Sequence, residues 1–441
     1  MMIAAFMLML SSFISISFVC RKEFNKSPIH ETRGVWVTRW DYTTKTYSTE
    51  PDIQKAEIHR LFKIAKDSNL NSVFFQVRGA FDAYYNSNYE PWAKTLTDTL
   101  GIDPGWDPLE FAIRESKEMG LQLHAWVNTF SLWKGKIPPD SSDPLHAYHS
   151  NPEWLVAGSN GVPMQLIDHY VYANPGNPEV RKHVLKVVLD IVKNYDIDGI
   201  HLDYIRYPEN SNKLGYSKDS ISIGLFNSSE GNPDSLKWED WQRRNVHLFV
   251  KSVKDSISVV KPNLALSAAV LGKYKLPGWS GYDVVYQDAV PWIEKSWLDF
   301  IVPMTYTNRK HKTASFTKLI HNWNERTGKP NSILVGIAVY KAEGKNGWGW
   351  NEIAYQINDV RNERLGGMVF FNATALESDW SIIQKNFFND SALPQPILRQ
   401  KNSGDLTSVR TIYSILSLEY TTELSSYGCV IYFRTESMSE I

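Results

Sequence analysis

The stretch Tyr195-Asp196-Ile197-Asp198-Gly199-Ile200-His201-Leu202-Asp203-Tyr204-Ile205-Arg206-Tyr207-Pro208 decides the fold. A helical pattern ends near Tyr195, Gly199 makes the turn, and an apolar run leads into Asp203 and Arg206. Side chains alternate along a strand, so if Ile200 and Leu202 face outward onto helices, His201 and Asp203 face inward. An inward carboxylate at the end of such a strand is costly to bury without a purpose, which makes Asp203 a site candidate. The bland alternative is a structural Asp203–Arg206 ion pair near the rim.

Seven further β-branched and aromatic runs resemble this one: Gly34–Thr38, Ser72–Val77, Leu121–Val127, Leu264–Val270, Asp299–Tyr306, Ile333–Tyr340 and Gly367–Asn372. With Gly199–Tyr204 they make eight, the count that closes a barrel. Helical patterns lie between them. Ile58, Leu61, Phe62 and Ala65 share one face, as do Val180, Val184, Val187, Val188 and Ile191. Asp107-Pro108 and Asn177-Pro178 each read as an N-cap followed by a first-turn proline. Near-continuous apolar strands alternating with helices predict an α/β fold, a (β/α)8 TIM barrel. An open doubly wound sheet that binds dinucleotides needs a glycine-rich turn after its first strand, and none is present.

In barrels the loops at the strand C-termini build the site. The long ones follow the third strand (Phe130 to Asn174) and the fourth (Arg206 to Leu236), which suggests a cleft for an extended ligand. Aromatic residues make up 13% of the chain, with 16 Trp and 22 Tyr; most fill the core, and some can stack on sugar rings. The 47 basic and 48 acidic residues give a net charge of −1, so there is no electrostatic reason to expect a nucleic-acid partner. Residues 1–20 are apolar and read as an export or lipoprotein signal. Cys20 is positioned for acylation, and an uncleaved membrane anchor is the alternative. The expected location is therefore outside the cytoplasm: periplasmic, outer-membrane-associated or extracellular. With Cys429 the only other cysteine, no disulfide framework or cysteine zinc site is available. Residues 31–390 form the barrel, and 395–441, with β-like runs Ile412–Leu418 and Cys429–Phe433, form a small C-terminal β module.

Three other segments carry candidate site residues. Gln76, Arg78 and Asp82 leave the second strand on a loop that continues to Glu90-Pro91-Trp92. His124, Trp126 and Asn128 share one parity at the end of the third strand, and Tyr306 ends the sixth. No paired-histidine pattern supports a metal, and no cofactor is expected. Glycoside hydrolysis usually needs two carboxyl groups. Asp203 is one; Asp82 is the first choice for its partner, ahead of Glu90, Asp168 and Asp41.

These residues resemble a known family, the glycosyl-hydrolase-like 10 domain proteins of bacteria. The matching stretches include Glu31-Thr-Arg-Gly-Val-Trp36, Gln76-Val-Arg78, Asp82-Ala-Tyr84, Glu90-Pro-Trp92, Asp107-Pro-Leu109, His124-Ala-Trp-Val-Asn128, Pro175-Gly-Asn-Pro178, Tyr195-Asp-Ile-Asp-Gly-Ile-His201 and Trp241-Gln-Arg-Arg-Asn245. The resemblance spans about Glu31 to Phe387. It implies a (β/α)8 hydrolase domain, often on exported lipoproteins, with cell-wall or exopolysaccharide glycans among the substrates. This chain has Asp203-Tyr204-Ile205-Arg206-Tyr207-Pro208 where many relatives have a second aspartate after the first, which leaves the partner acid to another loop. The segment from Asp198 to Asp203 also resembles the fourth strand of family 18 chitinases, but Ile205 stands where their catalytic glutamate would be, which rejects that assignment. The expected function is a glycosidase on an amino-sugar polysaccharide, with Asp203 and Asp82 catalytic. Arg78, Asn128 and Arg206 would orient sugar substituents, Trp126, Tyr204 and Tyr306 would stack, and Gln76, His124 and His201 would line the subsite. The alternative is a non-catalytic glycan-binding protein on a degenerate barrel.

Overall fold

A computed structural model describes residues 28–396, apart from 47, 167–168, 210, 344–346 and 378–379, together with 420–425 and 428–433. The expected signal with Cys20, the Ile412–Leu418 run and Asp168 lie outside the described residues. The strands are β1 (Thr32–Val37), β2 (Ser72–Arg78), β3 (Gln122–Asn128), β4 (Ser131–Lys134), β5 (Tyr170–Tyr172), β6 (Gly199–Asp203), β7 (Ala265–Leu271), β8 (Phe300–Met304), β9 (Leu334–Ala338), β10 (Gly367–Phe371), β11 (Tyr420–Ser425) and β12 (Gly428–Phe433). Eight of them, β1, β2, β3, β6, β7, β8, β9 and β10, close a parallel barrel in that order, with β10 pairing back onto β1. All eight expected strands are present, with no end displaced by more than two residues. The antiparallel hairpin β4–β5, set in the long loop after β3, was not expected. The chain divides after Ile397 into two units, and the second contains the antiparallel pair β11–β12, which takes in the expected Cys429–Phe433 run.

The helices form where their ends are capped and one face is apolar. Asp107 Oδ1 accepts from the N–H groups of Leu109 and Glu110, starting Pro108–Met119, and Gly120 ends it at φ +67°. Asn177 caps Pro178–Asn194 in the same way through Glu179 N–H. The stripes Ile58, Leu61, Phe62 and Ala65 and Val180, Val184, Val188 and Ile191 are fully buried against the outer barrel wall, where Ile200 and Leu202 also point. Among the described residues no helix is long and apolar enough to cross a membrane.

Inside the barrel a second apolar cluster gathers Trp36, Phe74, Trp126, Ala269, Val302, Leu334 and Val369. Register sets the height of each inward residue. His124 lies level with Phe74 and Gly199; Trp126 with Gln76 and His201; Asn128 with Asp203. The lowest of these levels is tight: a Cβ on Gly199 would lie 2.2 Å from His124 Nδ1, so that position needs glycine.

That layering corrects two expectations. His124, 3% exposed, stacks on Phe74 with centroids 4.8 Å apart, and burial lowers its pKa to about 4. His201 is fully buried; its Nε2 accepts from the Trp36 indole N–H at 3.2 Å. Its Nδ1 must then hold the proton, and donates to Ser267 Oγ at 2.9 Å. Both are core histidines beneath the site, inward as predicted but too deep to meet a sugar.

Candidate active site

Asp203 ends β6 at the top level of the barrel and is 4% exposed. Its Oδ1 accepts the Tyr204 backbone N–H at 2.6 Å and a longer contact from Arg206 Nη1 at 3.4 Å. Among the described residues Oδ2 accepts no hydrogen bond, and it is not sealed from solvent, so it can hold a proton and meet a ligand. Burial raises the carboxyl's pKa, and the Arg206 charge, the Tyr204 N–H and the Trp126 indole oppose the shift without cancelling it. The Trp126 indole N–H faces this carboxyl without reaching hydrogen-bond geometry.

The backbone turns sharply here. Tyr204 has φ +52°, a left-handed conformation that is strained for an aromatic residue. The turn ends the strand and sends the Tyr204 ring against Tyr170 and Tyr172, at centroid distances of 4.9 and 6.1 Å. Arg206 lies over the same ring at 4.4 Å, and its Nε has no acceptor. Burial works against the Arg206 charge, but Tyr172, Asp203, Tyr204 and Glu209 more than offset it. Burial pushes the Tyr172 hydroxyl up to about 12, with Arg206 opposing and both Asp203 and Glu209 adding to the rise. Glu209, exposed on the loop after β6, is therefore a carboxylate that shares Arg206 and Tyr172 with Asp203.

Glu209 was missed because a single exposed acid on a loop has no periodic signature. Tyr170 and Tyr172 were missed with the β5 strand, whose three residues are too short a run to carry a periodic signal. Trp40 was missed as well. The Arg39 guanidinium lies 4.3 Å from the Trp40 ring and donates to the Tyr170 hydroxyl. Tyr306, after β8, is close enough to Asp203 for the carboxylate to raise its hydroxyl, after burial, and its ring is 5.7 Å from Phe371.

The second-strand residues take other roles than those expected. Arg78 is fully buried; its Nε and Nη2 donate to Glu90 at 2.8 and 2.6 Å, and Nη1 donates to the carbonyls of Asn128 and Thr129. His183 donates to the same Glu90 at 2.9 Å. Burial would raise the Glu90 carboxyl, but Arg78 and His183 outweigh it and hold it at about 2. Arg78 is thus a structural clamp, and Glu90 its counter-ion. Thr129 in turn donates through N–H and Oγ1 to the Asp203 carbonyl, at 2.8 and 2.9 Å. Asn128 is fully buried and donates to the Gly79 carbonyl at 2.9 Å, so it fixes the loop rather than facing a sugar. Gln76 Oε1 accepts the Arg39 backbone N–H at 3.1 Å and so holds the turn after β1.

Asp82 is not paired with Asp203. Its Oδ1 accepts the Ala80 N–H at 2.7 Å, and its charge acts on Arg39 and Tyr84. The two carboxylates share no hydrogen-bonding partner. Asp41 is also committed: Oδ2 accepts Thr38 N–H at 2.8 Å, and Oδ1 accepts from Asn372 at 2.7 Å. Among the described residues no group of three or more His, Cys, Asp or Glu could hold a metal ion.

Comparison with known proteins agrees with this architecture. Residues 31–350 match the family described as glycosyl hydrolase-like 10. Glycosyl hydrolase YngK of Bacillus subtilis (strain 168) is 27% identical over 80% of this chain and 68% of its own length. Glycosyl hydrolase DigH of Escherichia coli (strain K12) is 26% identical over 70% of this chain and 73% of its own. Among solved structures, the PgaB (BpsB) glycoside hydrolase domain from Bordetella bronchiseptica aligns with a TM-score of 0.56 at 13% identity, covering 81% of this chain and 98% of that one. The catalytic domain of the β-amylase from Paenibacillus polymyxa aligns at 0.52 with 10% identity, covering 83% and 100%; both show a shared barrel fold. The chain belongs to the glycosyl hydrolase-like 10 family and is a glycoside hydrolase built on a (β/α)8 barrel.

Proposed function

We propose that the protein cleaves an amino-sugar polysaccharide, such as bacterial cell-wall glycan, outside the cytoplasm, with Asp203 as the proton donor. The observation that carries this reading is the buried Asp203 carboxyl with its pKa raised and Oδ2 left free at the barrel mouth. A carboxyl that holds its proton to higher pH than an ordinary aspartate suits the protonation of a glycosidic leaving oxygen. Glu209 is the partner this account favours: exposed on the loop after β6 and close enough to Arg206 to act on its charge, it can serve as base or nucleophile. Tyr204, Tyr170, Trp40 and Tyr306 supply stacking faces, and Arg206 and Arg39 supply donors for acetamido or carboxylate oxygens. The named relatives are glycosyl hydrolases, which supports the reaction class; the apolar residues 1–20 support export, with Cys20 as the anchor point.

The test is digestion of peptide-free peptidoglycan strands and chitin oligomers by the wild type, Asp203→Asn, Glu209→Gln and Asp82→Asn. Loss of one acid–base group should cost about 10²- to 10⁴-fold in rate for the Asp203 and Glu209 variants. Asp82→Asn should keep most of its activity. An Asp203→Asn protein that retains the full wild-type rate would sink the reading. Binding without cleavage by the wild type would instead favour a degenerate, glycan-binding barrel.

A further inference from the structure

Two indoles share the apolar cluster inside the barrel, and their N–H groups meet different fates. Trp36 donates to His201 Nε2 at 3.2 Å. Trp126 is buried, and its Nε1–H is sealed from solvent with no hydrogen-bond partner among the described residues. A buried donor left without an acceptor is costly, and such groups are few in folded proteins. Register shows where this one stands. Trp126 pairs with His201 across β3 and β6, and the next inward pair above it is Asn128 with Asp203. The indole is therefore one level below Asp203 on the adjacent strand, and its N–H faces the carboxyl closely enough to favour the charged form.

The other groups around the carboxyl keep their charge while it titrates. Arg206 reaches Asp203 Oδ1 at 3.4 Å from the loop after β6 and remains a cation. Tyr204, Tyr172 on β5 and Tyr306 after β8 all feel the Asp203 charge, and burial raises each hydroxyl, so all three stay neutral. Glu209 acts on Arg206 and Tyr172. His201, level with Trp126, is held neutral by burial, and its two ring nitrogens are already bonded to Trp36 and Ser267. Trp126 is thus a directed donor on the floor of the site, facing a group whose charge changes.

We propose that Trp126 is a positioning residue for Asp203, its indole N–H held in reserve beside the protonated carboxyl and donating to the carboxylate that forms when the proton is given up. This rests on the reading of Asp203 as proton donor. In that step the carboxyl O–H bond breaks and its proton goes to the glycosidic oxygen. That oxygen leaves with the C–O bonding pair, while water or Glu209 supplies a new pair to the anomeric carbon. A protonated carboxyl is a weak acceptor and a carboxylate a strong one, so the N–H gains its partner as the negative charge develops. An interaction that is stronger in the transition state than before it accelerates the reaction. Trp126 is therefore not the sugar platform expected from the sequence: its ring is packed with Trp36, Phe74 and Val302, and it acts through Asp203.

The test reads the hydrogen bond and its effect on rate separately. In protein carrying isotope-labelled tryptophan and aspartate, NMR follows the Trp126 indole N–H and the Asp203 carboxyl through one pH titration. The indole proton should move downfield as the carboxyl ionises, and should stay in place in Asp203→Asn. For the rate, Trp126→Phe removes the N–H. Benzothienylalanine at the same position removes it while keeping the fused ring, so a cavity is not mistaken for a lost hydrogen bond. Each should move the alkaline limb of the pH–rate profile on peptide-free peptidoglycan to higher pH by about one unit. Each should lower kcat there by roughly three- to tenfold with KM unchanged, and spare a dinitrophenyl glycoside, whose leaving group needs no proton. An indole resonance that ignores the ionisation, or moves equally in Asp203→Asn, would overturn the proposal. So would an equal rate loss on both substrates, the mark of a merely structural role. Equal losses on the two substrates for Asp203→Asn would overturn the proton-donor reading itself.

Discussion

Two buried carboxylates lie beside arginines at the same end of this barrel, and their environments have opposite consequences. Glu90 meets Arg78 through two hydrogen bonds of 2.8 and 2.6 Å and receives a third from His183, and its pKa falls to about 2. Asp203 meets Arg206 through a single long contact of 3.4 Å, and its pKa rises. Burial opposes ionisation in both, and the difference lies in how completely the charge is satisfied. A buried acid beside an arginine is therefore not by itself a catalytic signal. The loosely held one can exchange a proton; the tightly held one fastens two loops together.

The largest effect that separates the two is on stability. Glu90→Gln leaves the Arg78 charge buried without its counter-ion and should cost about 3–5 kcal/mol, read as a lower denaturation midpoint. The pair's contribution is present above the ordinary glutamate range and is lost as pH falls through about 2, so the wild type and the variant should converge in strong acid. Asp203→Asn should do the reverse. A raised native pKa means that the carboxyl's favourable contribution is complete below its unfolded pKa and disappears as pH rises through the native value. At neutral pH the asparagine variant should be at least as stable as wild type while losing activity. A loss of stability comparable to that of Glu90→Gln would erase the distinction between the two sites.

A smaller effect sharpens the account of Asp203. Arg206 is the foremost group holding its pKa down against burial. Arg206→Gln should therefore raise the Asp203 pKa and move the alkaline limb of the pH–rate profile to higher pH, by about one unit if the pair is worth about 1.4 kcal/mol. A limb that stays in place, or moves to lower pH, would mean that another group sets it.

Much of this arrangement was legible in the sequence, and the limits have a physical origin. The alternation around Asp203 gives its inward direction, and the capping signals at Asp107 and Asn177 give the helices. Alternation gives direction but not depth. His201 and Asp203 share a parity, yet His201 is sealed between Trp36 and Ser267 one level below. Depth depends on the register with neighbouring strands, which are distant in sequence. The Arg78–Glu90–His183 network was hidden for a related reason, since its third member arrives from a helix 93 residues after Glu90. The hairpin β4–β5 has strands of four and three residues, too short for a periodic pattern to register.

The most direct test of Asp203 as proton donor compares two leaving groups. Peptide-free peptidoglycan needs its leaving oxygen protonated, whereas a dinitrophenyl glycoside of the same sugar departs without that help. The account predicts that Asp203→Asn loses about 10²- to 10⁴-fold on the polymer and far less on the dinitrophenyl substrate. An equal loss on both substrates would contradict the assignment and make Asp203 the nucleophile or an electrostatic stabiliser instead.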